Sequence, residues 1–227
     1  MFLIAVNFVR EQRWPLITLL LYVVVFGGGI ALTGGQSEDD TLFMLRSTSI
    51  YGLAFTGLLA ASAINNECRT RRILAVLSKG LERGKYLGGL LLGAMIASAV
   101  YCATIFAVGA LATHKVGILL PFALMLMVLF LLAATSAIAF STVFHPLLAS
   151  ASAAFLLGAE GIAARALGGV WLDILPAWTL VDRAVNFGAP GWHLPWAACA
   201  WAILQAAIFW ALATAIFSRR DIAVAIE

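Results

Sequence analysis

A chain of 227 residues that is 63% hydrophobic and 11% charged, with mean hydropathy +1.01, reads as an integral membrane protein. That length allows one compact membrane domain with little outside it. The formal net charge of +3 is small and its basic residues sit where topology puts them, which excludes nucleic acid as a partner. Cys68, Cys102 and Cys199 lie far apart, two of them in apolar runs, so neither a disulfide framework nor a metal cluster is expected.

Residues 1–14 open with Phe2, Leu3, Ile4, Val6, Phe8 and Val9, followed by Arg10, Glu11, Arg13 and Trp14. A secretory signal has the opposite order, charge before apolar core. The stretch predicts an interfacial helix along the inner leaflet, with Trp14 at headgroup level. Pro15 then suits the first turn of a span. Six spans are expected, at roughly 15–33, 42–64, 86–112, 116–144, 147–164 and 195–217. Arg46 near the outer end of the second can snorkel towards the acidic loop of Glu38, Asp39 and Asp40.

Residues 65–85 form the one long charged run. Arg69, Arg71, Arg72, Lys79, Arg83 and Lys85 place six of the fourteen basic residues there, against Glu67 and Glu82. Lys and Arg in short loops resist translocation, so this loop belongs in the cytoplasm. Ile73, Leu74, Val76 and Leu77 make an apolar stripe at helical spacing, which predicts a short amphipathic helix and then a turn at Gly80 and Gly84. With Arg10, Arg13, Arg219 and Arg220, ten basic residues fall inside; Arg46, Lys115, Arg165 and Arg183 fall outside. Both termini are then cytoplasmic.

Residues 168–194 are too long for a turn and too apolar for a solvated loop. Trp171, Trp178 and Trp192, interrupted by Asp173, Pro176, Asp182 and Arg183, predict an outer half-inserted hairpin between helices five and six. Glu160 is the acid well inside a span. Charged and unpaired near the bilayer centre it would cost about 2.5–3.5 kcal/mol. Arg165, five residues on, gives it either a structural ion pair or, failing that, a place in a translocation path.

Other chemistries fail on their residues. Gly80 to Tyr86 has one residue too few for a phosphate-binding loop and lacks the Ser or Thr that would hold Mg²⁺. His114, His145 and His193 fall at span ends, which argues against a metal or haem site. No nucleophile stands paired with a base at membrane depth, so an intramembrane hydrolase is disfavoured. Gly84-x-x-x-Gly88 and Gly89-x-x-x-Gly93 allow close helix approach, within one copy or between two.

The whole arrangement resembles the permease subunits of type-2 ABC exporters. Arg10-Glu11-Gln12-Arg13 is similar to the charged end of that family's elbow helix. Glu67, Leu77-Ser78-Lys79, Arg83 and Tyr86-Leu87-Gly88 are similar to its cytoplasmic loop, although Gly80 replaces the usual Pro and Gly89 the usual Lys. Ile174-Leu175-Pro176 with Asp182-Arg183 resembles its outer segment, and Phe217-Ser218-Arg219-Arg220-Asp221 its C-terminal ending. The resemblance implies a single permease domain in the cell inner (plasma) membrane, pairing with a second permease copy, identical or related. It implies no cofactor and no enzyme activity in this chain: ATP is bound by a separate ABC ATPase docking on Glu67, Arg71, Arg72, Lys79, Arg83 and Lys85. Membrane lipid is the remaining partner. The alternative is a non-transporting membrane anchor or assembly subunit, in which the basic loop serves topology alone.

Overall fold

The computed structural model describes residues 1–32, 38–69, 82–113 and 116–219. Among them the regular structure is entirely helical. In chain order the helices are α1 (Phe2–Glu11), α2 (Arg13–Leu32), α3 (Glu38–Arg69), α4 (Arg83–Thr113) and α5 (Val116–Ser141). There follow α6 (Pro146–Leu167), α7 (Trp171–Ile174), α8 (Pro176–Val185) and α9 (Trp196–Arg219).

Among the described residues, five stretches are long and apolar enough to cross a membrane: Asp39–Asn65, Arg83–Leu111, Gly117–Ser141, Pro146–Leu167 and Trp196–Arg219. The expected first span appears as a shorter apolar stretch, Arg13–Phe26, within α2. An all-α, multi-pass membrane protein is therefore what the helices make. Their ends run a few residues past the apolar runs. α3 starts at Glu38, where Asp39 and Asp40 suit the positive end of its dipole. α6 starts with Pro146 at its first turn, and stops where Gly168 turns left-handed at φ 64°.

The centre of the bundle is α5, which packs against α3, α4, α6, α8 and α9. It carries no charged residue. Its buried hydroxyls bond within the helix: Thr135 to the Leu131 carbonyl, Ser136 to Ala133 and Ser141 to Ile138. Polar groups served by their own helix leave every face of α5 free to pack. Beside it, Tyr101 of α4 donates to the Thr48 carbonyl of α3 at 2.6 Å, and Thr56 meets Ser98 at 3.1 Å. The Tyr101 ring fits because position 52 is glycine; a Cβ there would overlap Tyr101 and Phe130.

The glycine stripe at the start of α4 is used within the chain. Gly88, Gly89 and Gly93 receive Met1, just before α1, and Ile4 and Phe8 of α1, whose Ala5 and Phe8 are buried. So α1 lies across the base of α4. Arg83, at that same base, reaches the end of α9. The start of α1, the start of α4 and the end of α9 thus gather at one end of the bundle.

At the opposite end, residues 168–194 differ from a simple hairpin. They form α7, α8 and a coil folded back onto the helix ends. α8 buries Pro176, Ala177, Leu180 and Ala184 and packs against α3, α5, α6 and α9. The coil is pinned by Phe187, stacked on Phe122 with ring centroids 3.9 Å apart, and by Trp192, whose indole donates to the Arg183 carbonyl. Arg46 also has a different task from snorkelling to an acidic loop. Its guanidinium donates twice to the Phe187 carbonyl, at 2.9 and 2.6 Å.

Candidate functional site

Two groups of residues carry the functional expectations. The first is the cytoplasmic-loop set. Arg71, Arg72 and Lys79 lie outside the described residues, and so does the side chain of Glu67 at the end of α3. Arg83 and Lys85 are described, and they do different things. Arg83 Nη1 donates to the carbonyls of Phe217 at 3.2 Å and Ser218 at 3.0 Å. A cation on the unsatisfied carbonyls of a helix C-terminus meets the negative end of its dipole, so Arg83 ties α4 to α9. Lys85 sits 3.1 Å from Glu82, with both side chains exposed. Such a surface pair is worth about 0–1 kcal/mol.

The second group centres on Glu160, on α6. Its expected ion pair gives way to other partners. Gln205 of α9 donates its Nε2 to Glu160 Oε1. Arg165 instead lies over the Trp178 ring, 4.5 Å from the centroid, a cation–π contact between α6 and α8. The i to i+5 offset explains the exchange: Arg165 points to a different side of α6, where Gly161 leaves room for Trp178. The geometry therefore joins Glu160 to a residue forty-five positions away.

This contact is half complete. Glu160 Oε2 and Gln205 Oε1 are both buried and neither has a hydrogen-bond partner. A buried polar atom left unmatched costs about 1–3 kcal/mol, so two together mark a place where hydrogen-bond donors are lacking. The seam itself is otherwise loose, because α6 and α9 meet mainly through their shared neighbours α5, α7 and α8. Chemically, the pair can accept a donor: a protonated amine, a hydroxyl or a proton. Sequence reasoning singles out Glu160 and misses Gln205. The available signal is an amide in the middle of an otherwise apolar span.

Between α3, α5, α6 and α8 runs an apolar groove of about 500 Å³. Ile50, Leu53 and Gly57 of α3, Ala153 and Leu157 of α6 and Trp178 of α8 are among the residues that line it. Its one hydroxyl, Ser150, donates to the Leu147 carbonyl of its own helix. Among the described residues no cluster of three or more His, Cys, Asp or Glu side chains could hold a metal. No protein-family model matches the chain, and no curated protein does.

Proposed function

We propose that this chain is a permease subunit of a type-2 ABC exporter, moving a substrate across the cell inner membrane with ATP hydrolysed by a separate subunit. The observation that carries the reading is where the helices gather. The interfacial α1, the base of α4 and the end of α9 meet at one end of the bundle, and the basic loop joins α3 to α4 at that end. A basic sequence leading into the start of α4 suits docking by an ATPase. In this reading α2 is the first of six spans, both termini are cytoplasmic, and two permeases form the pathway. ATPase closure pushes residues 65–85 and, through the Arg83 tie, moves α4 and α9 together as a rigid body. The unmatched oxygens of Glu160 and Gln205 suit a step on the path for a donor-bearing substrate.

The test is purification of the full chain with its native neighbours. Co-purification of an ATPase whose activity rises in the presence of this chain supports the reading; a chain that binds none defeats it. Topology has its own check. Cys68, as the sole cysteine in a variant with Cys102 and Cys199 replaced, is expected to resist a membrane-impermeant thiol reagent in intact cells. It should react once the inner face is opened.

One observation favours the second reading, a non-transporting anchor or assembly subunit. Of the two described loop cations, Arg83 is engaged with α9 and Lys85 with Glu82, as purely architectural residues would be. An anchor of this kind would keep its fold and its place in the membrane with no ATPase bound.

A further inference from the structure

Where α1 bends into α2, the chain leaves a polar notch of about 510 Å³ lined by Asn7, Arg10, Glu11, Arg13 and Trp14. The bend is short. Gln12 alone separates the helices, and its carbonyl still accepts the Leu16 N–H at 3.1 Å. Arg10 and Arg13 therefore stand three residues apart on nearly continuous helix and open into the same space. Arg13 lies 5.5 Å from the Trp14 ring centroid, which holds its plane while its N–H edges stay available. Two guanidiniums and an amide against one carboxylate give the notch a net positive character suited to a phosphate.

The surroundings decide what kind of phosphate. Trp14 is 67% exposed, and from it an apolar stripe runs down α2 through Ile17, Leu21 and Val24 at helical spacing, with Leu21 57% exposed. On the other arm, Leu3 and Val6 of α1 are exposed as well. α1 meanwhile holds its place by burying Ala5 and Phe8 on α4. The notch is thus polar at its mouth and continuous with bare apolar helix below. With α2 read as a span, this stripe faces acyl chains, and a phosphate held in the notch is contiguous with them. A phospholipid uses both.

We propose that the α1–α2 elbow binds an anionic phospholipid, its phosphate held by Arg10 and Arg13 and an acyl chain lying along Ile17, Leu21 and Val24. Asn7 donates to the headgroup, and Trp14 sits at the glycerol level, where its amphipathic ring is at home. Phosphatidylglycerol, with one phosphate and an uncharged headgroup, is an anionic lipid of this kind. A lipid so placed fixes the depth at which α1 rests on α4.

The test uses the purified full chain, with native mass spectrometry reading retained lipid. Wild type is expected to retain phosphatidylglycerol in preference to phosphatidylcholine. Arg10→Gln and Arg13→Gln should each weaken that retention roughly tenfold, and the double variant should hold the two lipids equally. Lys85→Gln, a cation removed at the same end of the bundle but away from the notch, should leave the lipid preference as in wild type. Arg10→Lys with Arg13→Lys keeps the charge, loses the fork, and should fall between. Equal retention of the two lipids by wild type overturns the proposal without recourse to any variant. Undiminished preference in the double glutamine variant overturns it too. Displacement of phosphatidylglycerol by excess inorganic phosphate would reassign the notch to a soluble anion. Cross-linking of Leu21→Cys between two copies, with no lipid retained, would reassign the stripe to a second copy of this chain.

Discussion

The core around α5 and the seam between α6 and α9 treat buried polar groups in opposite ways. Around α5, Thr48, Ser49, Thr56, Ser98, Thr135 and Ser136 are all buried, and every hydroxyl reaches a carbonyl or another hydroxyl. Across the seam, Glu160 and Gln205 share one hydrogen bond and leave one oxygen each unmatched. Hydroxyls on a helix can bond back within their own turn, so they need nothing from a neighbour. Carboxylate and amide groups extend too far for that and depend on what faces them. The first region is closed to further chemistry; the second waits for a donor.

The largest effect should come from disturbing the closed region. Gly52→Leu would drive a side chain into the Tyr101 and Phe130 rings. Overpacking of this kind costs about 1–3 kcal/mol, and the Tyr101 bond to the Thr48 carbonyl would go with it. Thermal unfolding in detergent should show a larger fall for this variant than for any change at the seam or the loop. Unchanged stability would mean that this core is not the rigid part of the bundle.

The seam should respond according to which partner is altered. Gln205→Leu removes the donor and strands the Glu160 carboxyl, at an expected cost of about 2 kcal/mol. Glu160→Gln places two amides face to face, each able to donate to the other's oxygen, so stability should hold or rise by about 1 kcal/mol. The same unfolding measurement distinguishes them. A well-folded Glu160→Gln protein that no longer transports would put the carboxyl on the path; one that transports normally would make the contact structural. Arg165→Gln is a separate matter, because it loses the Trp178 face, worth about 0.5–2 kcal/mol. It should add to Glu160→Gln independently, since the two residues share no contact.

The same contrast separates what is legible in the sequence from what is not. Span positions are legible because apolar runs of membrane length admit few alternatives: α4, α6 and α9 end within three residues of their expected spans, and α3 runs four to five residues past each end. The break at Pro176 is legible too; that α8 folds back into the bundle is not, because its burial of Ala177 and Leu180 depends on α3, α5, α6 and α9 together. The glycines at 88, 89 and 93 advertise a close approach without saying by what. Glu160 stands out as an acid in a span. Its partner does not, since a contact between helices forty-five residues apart leaves no local spacing to read. Arg46 is hidden for the same reason: its target, the Phe187 carbonyl, is backbone and has no signature in sequence.

At the loop end, Arg83→Ala should have an intermediate effect. It frees the Phe217 and Ser218 carbonyls at the end of α9, for a loss of about 1 kcal/mol. Any loss of ATPase binding in this variant would be ambiguous, because α4 and α9 would loosen at the same time. A shift in unfolding temperature with unaltered ATPase binding would assign Arg83 to architecture alone.

Lys85→Ala should have the smallest effect on the fold and is for that reason the sharper probe of function. Its ion pair with Glu82 joins two exposed side chains three residues apart, a contact worth about 0–1 kcal/mol. Stability and expression should therefore match wild type. If the basic loop docks an ATPase, removing one charge-assisted contact of about 1.5 kcal/mol should weaken that association about tenfold. Raising the salt concentration should shrink the gap between wild type and variant, since exposed charges are screened. If the loop serves topology alone, the many remaining cations keep the inward bias and Lys85→Ala should be silent in every assay. Co-purification of the ATPase with the two proteins, at low and high salt, decides between these outcomes. A tenfold loss that salt abolishes supports docking, and indistinguishable retention removes Lys85 from the contact and favours the anchor.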